Sequence, residues 1–249
     1  MSLSKTYIYG RHALVEALRN IPSALEKVFV LPGLADQELL ALIEKAGVPI
    51  KTLASNNQLR DVDHSAVRQG VFGLLSPSKL LKAYKEFIEG LSITSETSLV
   101  LLDEIQDPHN VGAIIRSAAA FGVSGILISE HNQAPITDTV IKVSSGMAFR
   151  VPIVLVGNIN ATLRDLKTRG FWIYGMDETA THPVSAESFS APTLFIMGNE
   201  ATGIRQKTRE LCDVLLSISI DSQCESLNVA AATAVTLYAW SLQHPNVLK

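Results

Sequence analysis

The chain has 249 residues, of which 47% are hydrophobic and 18% charged, so it can bury a core and is not intrinsically disordered. Its net charge of −3 is unusual for a nucleic-acid-binding protein and, taken alone, favours a small-molecule enzyme. The sequence contains neither an apolar run of membrane-spanning length nor a signal-peptide core, so we expect a cytoplasmic protein without membrane contact. Its Cys and His residues lack metal-ligand spacing, so we expect free Cys212 and Cys224 and no metal.

Residues 1–76 show the pattern of a small α/β domain. The periodicity predicts helices over residues 10–20 and 36–46 and strands over residues 27–31, 49–53 and 71–75. Asp36 is a typical N-cap of the second helix, and Gly47 is a typical terminator. Residues 77–97 are rich in Lys, Glu, Ser and Thr and predict a linker with a short helix near Tyr84.

Residues 98–249 predict a second α/β domain, in which strands alternate with helices. The predicted strands are residues 99–102, 125–128, 153–156, 172–174, 194–197 and 214–218, and a long helix covers residues 227–243. This alternation indicates a mostly parallel sheet with helices on both faces. Ligands of such sheets bind beyond the carboxyl ends of the strands, which is where three polar clusters fall.

The first cluster, residues 107–116, opens a helix that either Asp107 or Asn110 can cap. Arg116 lies in an otherwise apolar part of this helix, so its guanidinium is expected to need an anionic or polar partner. That partner could be a ligand or an acidic neighbour in a structural ion pair, and the sequence leaves both open.

The second cluster follows a strand with a tight turn between Gly198 and Gly203. Its glycine spacing is that of a phosphate-binding loop, but Ile204 and Arg205 replace the lysine and hydroxyl residue, which excludes an NTPase. The third cluster is Ser226-Leu227-Asn228, in which Ser226 is the expected helix N-cap.

Together these clusters resemble, in order and spacing, the three motifs of the SpoU family of RNA 2′-O-methyltransferases, a branch of the SPOUT enzymes. Residues 7–75 resemble the family's substrate-binding domain, which is similar to a ribosomal RNA-binding protein fold, most clearly at residues 9–18 and 64–71. This two-domain plan resembles the subgroup that methylates a guanosine ribose of 23S rRNA.

The resemblance implies a trefoil-knotted methyltransferase domain at residues 98–249, a homodimer with the site near its interface, and S-adenosylmethionine as cofactor. By position in the family motifs, the expected cofactor-binding residues are Met197, Gly198, Asn199, Ile218, Ile220 and Leu227. The expected catalytic residues are Asn110, Arg116, Glu200, Ser226 and Asn228. Arg116 matches an arginine often assigned as general base, although a guanidinium rarely releases its proton, which favours a clamp on phosphate and alkoxide.

An acidic protein that binds RNA needs a local basic face. The expected RNA-binding residues are Arg11, His12, Gln69, Arg150, Arg205, Lys207 and Arg209. Ser219 and Ser222 depart from the family pattern in the cofactor loop. Two alternatives stay open: a methyltransferase of tRNA or another rRNA site, including an antibiotic-resistance type, and a non-catalytic RNA-binding assembly factor on the same scaffold.

Overall fold

The structure is a computed structural model that describes residues 6–34, 36–53 and 70–248. The chain divides into two compact units. The first unit consists of the described residues up to Leu81 together with Ile136–Arg150, and the second unit consists of Lys82–Pro135 and the described residues from Val151 onward. Residues 64–69, which carry part of the predicted RNA-binding motif, lie outside the described residues.

The strands and helices follow the chain in a largely alternating order. The strands are β1 Thr6–Tyr9, β2 Leu25–Val30, β3 Ile50–Thr52, β4 Val71–Leu75, β5 Leu81–Ala83, β6 Ser98–Asp103, β7 Gly125–Ser129, β8 Ile153–Val156, β9 Trp172–Met176, β10 His182–Pro183, β11 Thr193–Gly198 and β12 Val214–Ser217. The α-helices are α1 Arg11–Asn20, α2 Gln37–Lys45, α3 Tyr84–Glu89, α4 Pro108–Ala120, α5 Asp138–Val143, α6 Ile159–Thr168, α7 Gln206–Arg209 and α8 Val229–Gln243. Short 3-10 helices cover Pro22–Ala24, Pro77–Leu80, Met147–Phe149, Val184–Ala186 and Pro245–Val247.

The first unit is built on a four-stranded sheet in the order β1-β4-β2-β3. Strand β4 is antiparallel to both β1 and β2, whereas β2 and β3 are parallel. Asp36 caps α2, as predicted, because its side chain accepts a hydrogen bond from the backbone N–H of Leu39 at 3.0 Å. Both predicted helices and all three predicted strands are found, and β1 is an additional edge strand.

An ion pair inside the first unit joins α1 to the segment that follows α5. Glu16 is only 4% exposed, and its carboxylate accepts hydrogen bonds from Nε and Nη2 of Arg150 at 2.5 and 2.8 Å. Gly146, at φ +79°, lets the backbone pass close to Glu16, where an added Cβ would lie 3.2 Å from its side chain. Arg150, which was expected to bind RNA, therefore has a structural partner in Glu16.

This pair predicts a pH-dependent contribution to stability. Hydrogen bonding from Arg150 holds the pKa of Glu16 below its usual value of 4.5, so the stabilisation is complete above that pH and is lost as the pH falls through the lowered pKa. Glu16→Gln should lower the free energy of unfolding by about 1–2 kcal/mol at pH 7, since Arg150 is half-exposed and water screens the pair.

Urea denaturation at pH 7 and at successively lower pH measures this effect, and the gap between wild type and Glu16→Gln should close in acid. The matched control is Glu38→Gln, which removes an exposed carboxylate paired with Arg11 and should change stability by less than about 0.5 kcal/mol. A pH-independent gap would show that the Glu16 charge does not stabilise the unit.

The second unit is built on an eight-stranded sheet in the order β10-β12-β9-β11-β6-β7-β8-β5. The pairings from β10 through β8 are parallel. Residues 99–102 of β6 are fully buried, as a parallel strand covered on both faces requires, and this is why its sequence is one continuous apolar run. All six predicted strands are present, and β5 and β10 extend the sheet at its edges.

Helices cover both faces of this sheet. Side chains of α3 and α6, including Phe87, Leu163 and Leu166, form one core with alternate residues of the strands. Helix α4 packs against α8, which also contacts β11. None of the described helices has both the length and the apolar character needed to cross a bilayer. The expected mostly parallel sheet with helices on both faces is confirmed, together with a smaller N-terminal α/β unit.

Candidate active site

A cavity of about 540 Å³ opens at the carboxyl ends of β9, β11 and β12. Its walls come from residues 176–179, residues 197–204 and the chain between β12 and α8. All six residues expected to bind a cofactor line it: Met197, Gly198, Asn199, Ile218, Ile220 and Leu227. Three loops converge here because parallel strands end at the same edge of the sheet.

The loop after β11 is closed by Asn199 and Gly203, which exchange two backbone hydrogen bonds of 3.1 and 2.9 Å. The Asn199 side-chain oxygen accepts the N–H groups of Ala201 and Thr202, while its nitrogen donates to the carbonyl of Glu104 at 2.8 Å. A Cβ on Gly198 would lie 2.4 Å from the backbone of Gly203, so only glycine fits there. The loop is therefore held in shape by its own hydrogen bonds and by close packing.

A chain of side-chain hydrogen bonds connects the three polar clusters. Asn228 donates through Nδ2 to Oδ1 of Asn110 at 2.9 Å, and Asn110 donates through its own Nδ2 to Oε1 of Glu200 at 2.8 Å. Glu200 and Asn228 lie 90 and 118 positions after Asn110 in the sequence. All three clusters nevertheless meet at one site, as predicted. Both amide orientations are fixed by the network, since each oxygen faces a donor.

Asn228 also begins α8, which corrects the prediction that Ser226 is the N-cap. Its Oδ1 accepts the backbone N–H groups of Ala230 and Ala231 at 2.9 and 3.3 Å, and the helix starts at Val229. Both residues are good N-caps by type, and the backbone makes Asn228 the last non-helical residue. Ser226 is exposed and lines the cavity, two residues before the cap.

Arg116 is exposed on α4, which corrects the expectation that an apolar environment would force a partner on it. Within the described part of the chain it has neither an ion pair nor a side-chain hydrogen bond. The structural alternative, an ion pair with an acidic neighbour, is therefore absent from these residues. At the first motif, a guanidinium with all its donors free can bind an anion or a phosphate.

Residues 97–238 match the SpoU rRNA Methylase family. The chain belongs to this family. Residues 7–81 also match the RNA 2′-O ribose methyltransferase substrate-binding family. The family and the two-part plan predicted from the motifs are thereby confirmed.

Two curated SpoU relatives match over nearly their whole length. The 23S rRNA (guanosine-2′-O-)-methyltransferase RlmB of Vibrio vulnificus is 34% identical, over 95% of this chain and 96% of its own. RlmB of Escherichia coli is 35% identical, over 93% of this chain and 96% of its own. Among solved structures, the SpoU methyltransferase AviRb from Streptomyces viridochromogenes in complex with AdoMet shares the fold, with a TM-score of 0.80 and 22% identity over 97% and 91% of the two chains.

Two arginines of this SpoU methylase that were expected to bind RNA are held by carboxylates. Nη2 of Arg205 lies 2.7 Å from Oδ1 of the fully buried Asp103, and its Nη1 lies 3.0 Å from Glu104. Arg209 forms an ion pair of 2.7 Å with Asp177. Their charges are thus largely neutralised, whereas the neighbouring Lys207 is exposed and has no ion pair in the described part of the chain.

Replacing Arg205, which was expected to bind RNA, should lower stability because of its ion pair with Asp103. Arg205→Gln leaves the Asp103 carboxylate buried without its cation and should lower the free energy of unfolding by about 2–3 kcal/mol. This is less than for a fully buried pair, because the Arg205 side chain is 44% exposed and solvent screens it. Urea denaturation measures it, with Lys207→Gln as the control of equal charge change; equal midpoints for the two variants would contradict the prediction.

The remaining expected RNA-binding residues belong to the first unit. Arg11 and His12 are exposed at the start of α1, and Arg11 forms ion pairs with Asp36 at 2.6 Å and Glu38 at 3.0 Å. Gln69 lies outside the described residues.

One wall of the cavity was missed in the sequence. Asp177, Glu178 and Thr179 line it directly after β9, and Arg209 lines it from α7. The signal was present, because a polar run after a buried strand is the same pattern that pointed to the other three clusters.

Proposed function

We propose that this chain transfers a methyl group from S-adenosylmethionine to the ribose 2′-hydroxyl of a guanosine in 23S rRNA. The observation that carries this proposal is the Asn228–Asn110–Glu200 hydrogen-bond chain, which joins the three SpoU motifs at the cavity edge. The match of RlmB relatives over nearly the whole chain supports the substrate, since those proteins are named for this reaction.

The cavity suits the proposed cofactor. Its volume of about 540 Å³ lies in the usual range for a small-molecule site. Carboxylates of Asp177, Glu178 and Glu200 line it and favour a ligand with cationic groups, such as a sulfonium and an ammonium. Gly198, Ile218 and Leu227 would hold the cofactor largely through their backbone, and AdoMet is present in the AviRb complex, which has the same fold.

The protein's task follows from the chemistry of the two reactants. S-adenosylmethionine supplies an already activated methyl group, so the protein must align the 2′-oxygen and stabilise the negative charge that grows on it. The chemistry of Arg116 suits the second role, since its guanidinium has five donors and keeps its charge at neutral pH. We therefore assign it as an electrostatic clamp on the alkoxide and an adjacent phosphate.

The hydrogen-bonded residues are assigned to orientation. Asn110 is 9% exposed and fixed from both sides, so it holds Glu200 in one position at the exposed end of the chain. Glu200 uses one oxygen for Asn110 and keeps acceptor capacity for a ribose hydroxyl. Ser226 contributes a hydroxyl at the same cavity. A geometry fixed before binding lowers the entropic cost of aligning the reactants.

We propose that residues 1–76 form the substrate-binding domain for RNA and that residues 98–249 form the catalytic domain. The match of residues 7–81 to the substrate-binding family supports this. Arg11, His12 and Gln69 are the proposed contacts there, and Lys207 remains a candidate in the second unit.

A homodimer is proposed from an uncovered apolar stripe on α8. Val235, Tyr238 and Leu242 are 41%, 54% and 63% exposed and lie on one side of a helix whose other residues are also largely apolar. Such a stripe is typical of a helix that is covered by a partner. Sedimentation equilibrium should give a mass of twice 26.9 kDa.

Methyl transfer from tritiated S-adenosylmethionine tests the function. Wild type and Arg116→Ala are incubated separately with tRNA, small-subunit rRNA and unmodified 23S rRNA. We expect Arg116-dependent label in 23S rRNA that survives alkali in a resistant dinucleotide, because a 2′-O-methyl group blocks cleavage there. Label in tRNA alone would contradict 23S rRNA as the substrate and would support the methyl-transfer reaction. Absence of S-adenosylmethionine binding by calorimetry would favour a non-catalytic RNA-binding protein.

A further inference from the structure

The loop after β9 forms an organised wall of the cavity, although the sequence did not mark it as part of a motif. The backbone N–H of Asp177 donates to the carbonyl of Leu216 at 2.9 Å, which ties the loop to β12. Oδ1 of Asp177 accepts both the N–H and the hydroxyl of Thr179, at 2.8 and 2.7 Å. One carboxylate oxygen of Asp177 thus stabilises the shape of its own loop.

The other oxygen of Asp177 fixes Arg209. Nη2 of Arg209 lies 2.7 Å from Oδ2 of Asp177, and the Asp177 side chain is only 17% exposed. In the described part of the chain the Arg209 side chain has no other hydrogen bond or ion pair. A guanidinium carries five N–H donors, so several remain free at the wall of the cavity. Arg209 is therefore held in place with unused donors.

Carboxylates outnumber cationic side chains around the cavity. Among its described lining residues the carboxylates are Asp177, Glu178 and Glu200, and Arg209 is the one arginine or lysine. S-adenosylmethionine has the complementary set, with a sulfonium, an ammonium and one carboxylate. A guanidinium binds a carboxylate in a two-pronged geometry that a lysine or a backbone N–H cannot reproduce.

We infer that Arg209 binds the carboxylate of the cofactor's amino-acid moiety, with Asp177 positioning its guanidinium. This inference rests on the proposed function, since it takes S-adenosylmethionine as the ligand. It also gives Arg209 a different task from the RNA-phosphate contact predicted from sequence. An arginine whose charge is paired with a carboxylate at a cavity wall contributes little to the long-range field that attracts RNA.

Decarboxylated S-adenosylmethionine is the decisive probe, because it keeps the adenosine, sulfonium and amine and lacks only the carboxylate. Binding of both compounds is measured by calorimetry for wild type, Arg209→Gln, Arg209→Lys and Arg164→Gln. We expect wild type to bind S-adenosylmethionine at least about tenfold more tightly than the decarboxylated compound. Arg209→Gln should lose that preference, with affinity for the decarboxylated compound changed by less than about twofold.

The controls separate contact from loop structure. Arg209→Lys keeps the charge beside Asp177 and should retain part of the preference. Arg164→Gln, which removes an exposed cation outside the cavity, should bind both compounds like wild type. Equal loss of both affinities in Arg209→Gln would overturn the inference and leave Arg209 as a support for the Asp177 loop. An undiminished preference would overturn it as well. Failure of wild type to bind either compound would instead overturn the proposed function.

Discussion

Arg116→Ala is expected to lower methyl transfer to RNA by about 10³-fold, comparable with the loss of a donor that stabilises a developing oxyanion. Arg116 is exposed, and in the described part of the chain its removal breaks neither an ion pair nor a side-chain hydrogen bond. It does not line the cavity, and S-adenosylmethionine affinity should therefore stay within about twofold of wild type. Single-turnover transfer and calorimetric binding measure the two quantities.

The matched control for this variant is Arg164→Ala. Arg164 is another exposed arginine, on α6, whose side chain makes one long contact of 3.5 Å to a carbonyl of its own helix. Its removal should leave transfer unchanged. Arg116→Lys should recover part of the activity, because it restores charge but not the planar set of donors. A large fall in cofactor affinity or in the unfolding free energy of Arg116→Ala would contradict the assignment of this residue to RNA and alkoxide.

The large sheet was predictable because its strands are buried on both faces. Residues 99–102 and 194–197 are uninterrupted apolar runs, and such runs have few alternatives to a central parallel strand. Strands β5 and β10 have three and two residues and carry no such run, so no local pattern marks them. Residues 136–150 belong to the first unit through contacts that are distant in sequence, among them α5 against β1 and the Glu16–Arg150 pair, and no local pattern marks these.

The convergence of the motifs was predictable for a different reason. Polar clusters at the carboxyl ends of parallel strands must share one edge of the sheet, which is why Asn110, Glu200 and Asn228 come within hydrogen-bond distance. The sequence did not distinguish Ser226 from Asn228 as N-cap, because both types suit the role and only the backbone decides between them. The trefoil knot stays a prediction of the family resemblance.

The charge pairs were the least predictable part of the site. Arg205 and Arg209 looked like free surface cations, since their partners Asp103 and Asp177 lie 102 and 32 positions earlier in the chain. Only folding brings each carboxylate to its arginine. For Arg116 the prediction was wrong in the other direction. Its apolar neighbours along the sequence predicted a need for a polar partner, whereas its side chain is exposed on α4.

Asn228 has two roles that substitution can separate. Asn228→Ala removes both the cap of α8 and the donor to Asn110, and it should cost about 1 kcal/mol of unfolding free energy along with activity. Asn228→Asp keeps an acceptor for the N–H groups of Ala230 and Ala231, and its charge suits a helix N-terminus, so stability should stay within about 0.5 kcal/mol of wild type.

The activity of Asn228→Asp decides whether the hydrogen-bond chain matters beyond the cap. A carboxylate oxygen would face Oδ1 of Asn110 where a donor is needed, so Asn110 would turn and release Glu200. We expect transfer to fall by about 10²-fold in both Asn228 variants, the usual cost of a small displacement of reacting groups. Single-turnover methyl transfer and urea denaturation measure the two effects.

Asn158→Ala supplies the matched control, because Asn158 caps α6 through an equivalent 3.0 Å bond from Ala161 and does not line the cavity. It should lose about 1 kcal/mol of stability, like Asn228→Ala, and keep full activity. Wild-type activity in Asn228→Asp would show that Asn228 serves only the helix. A fall of about 10²-fold in Asn228→Asp beside a fully active Asn158→Ala would place the effect at the site and not in the helix cap, since only Asn228 of the two caps donates to Asn110.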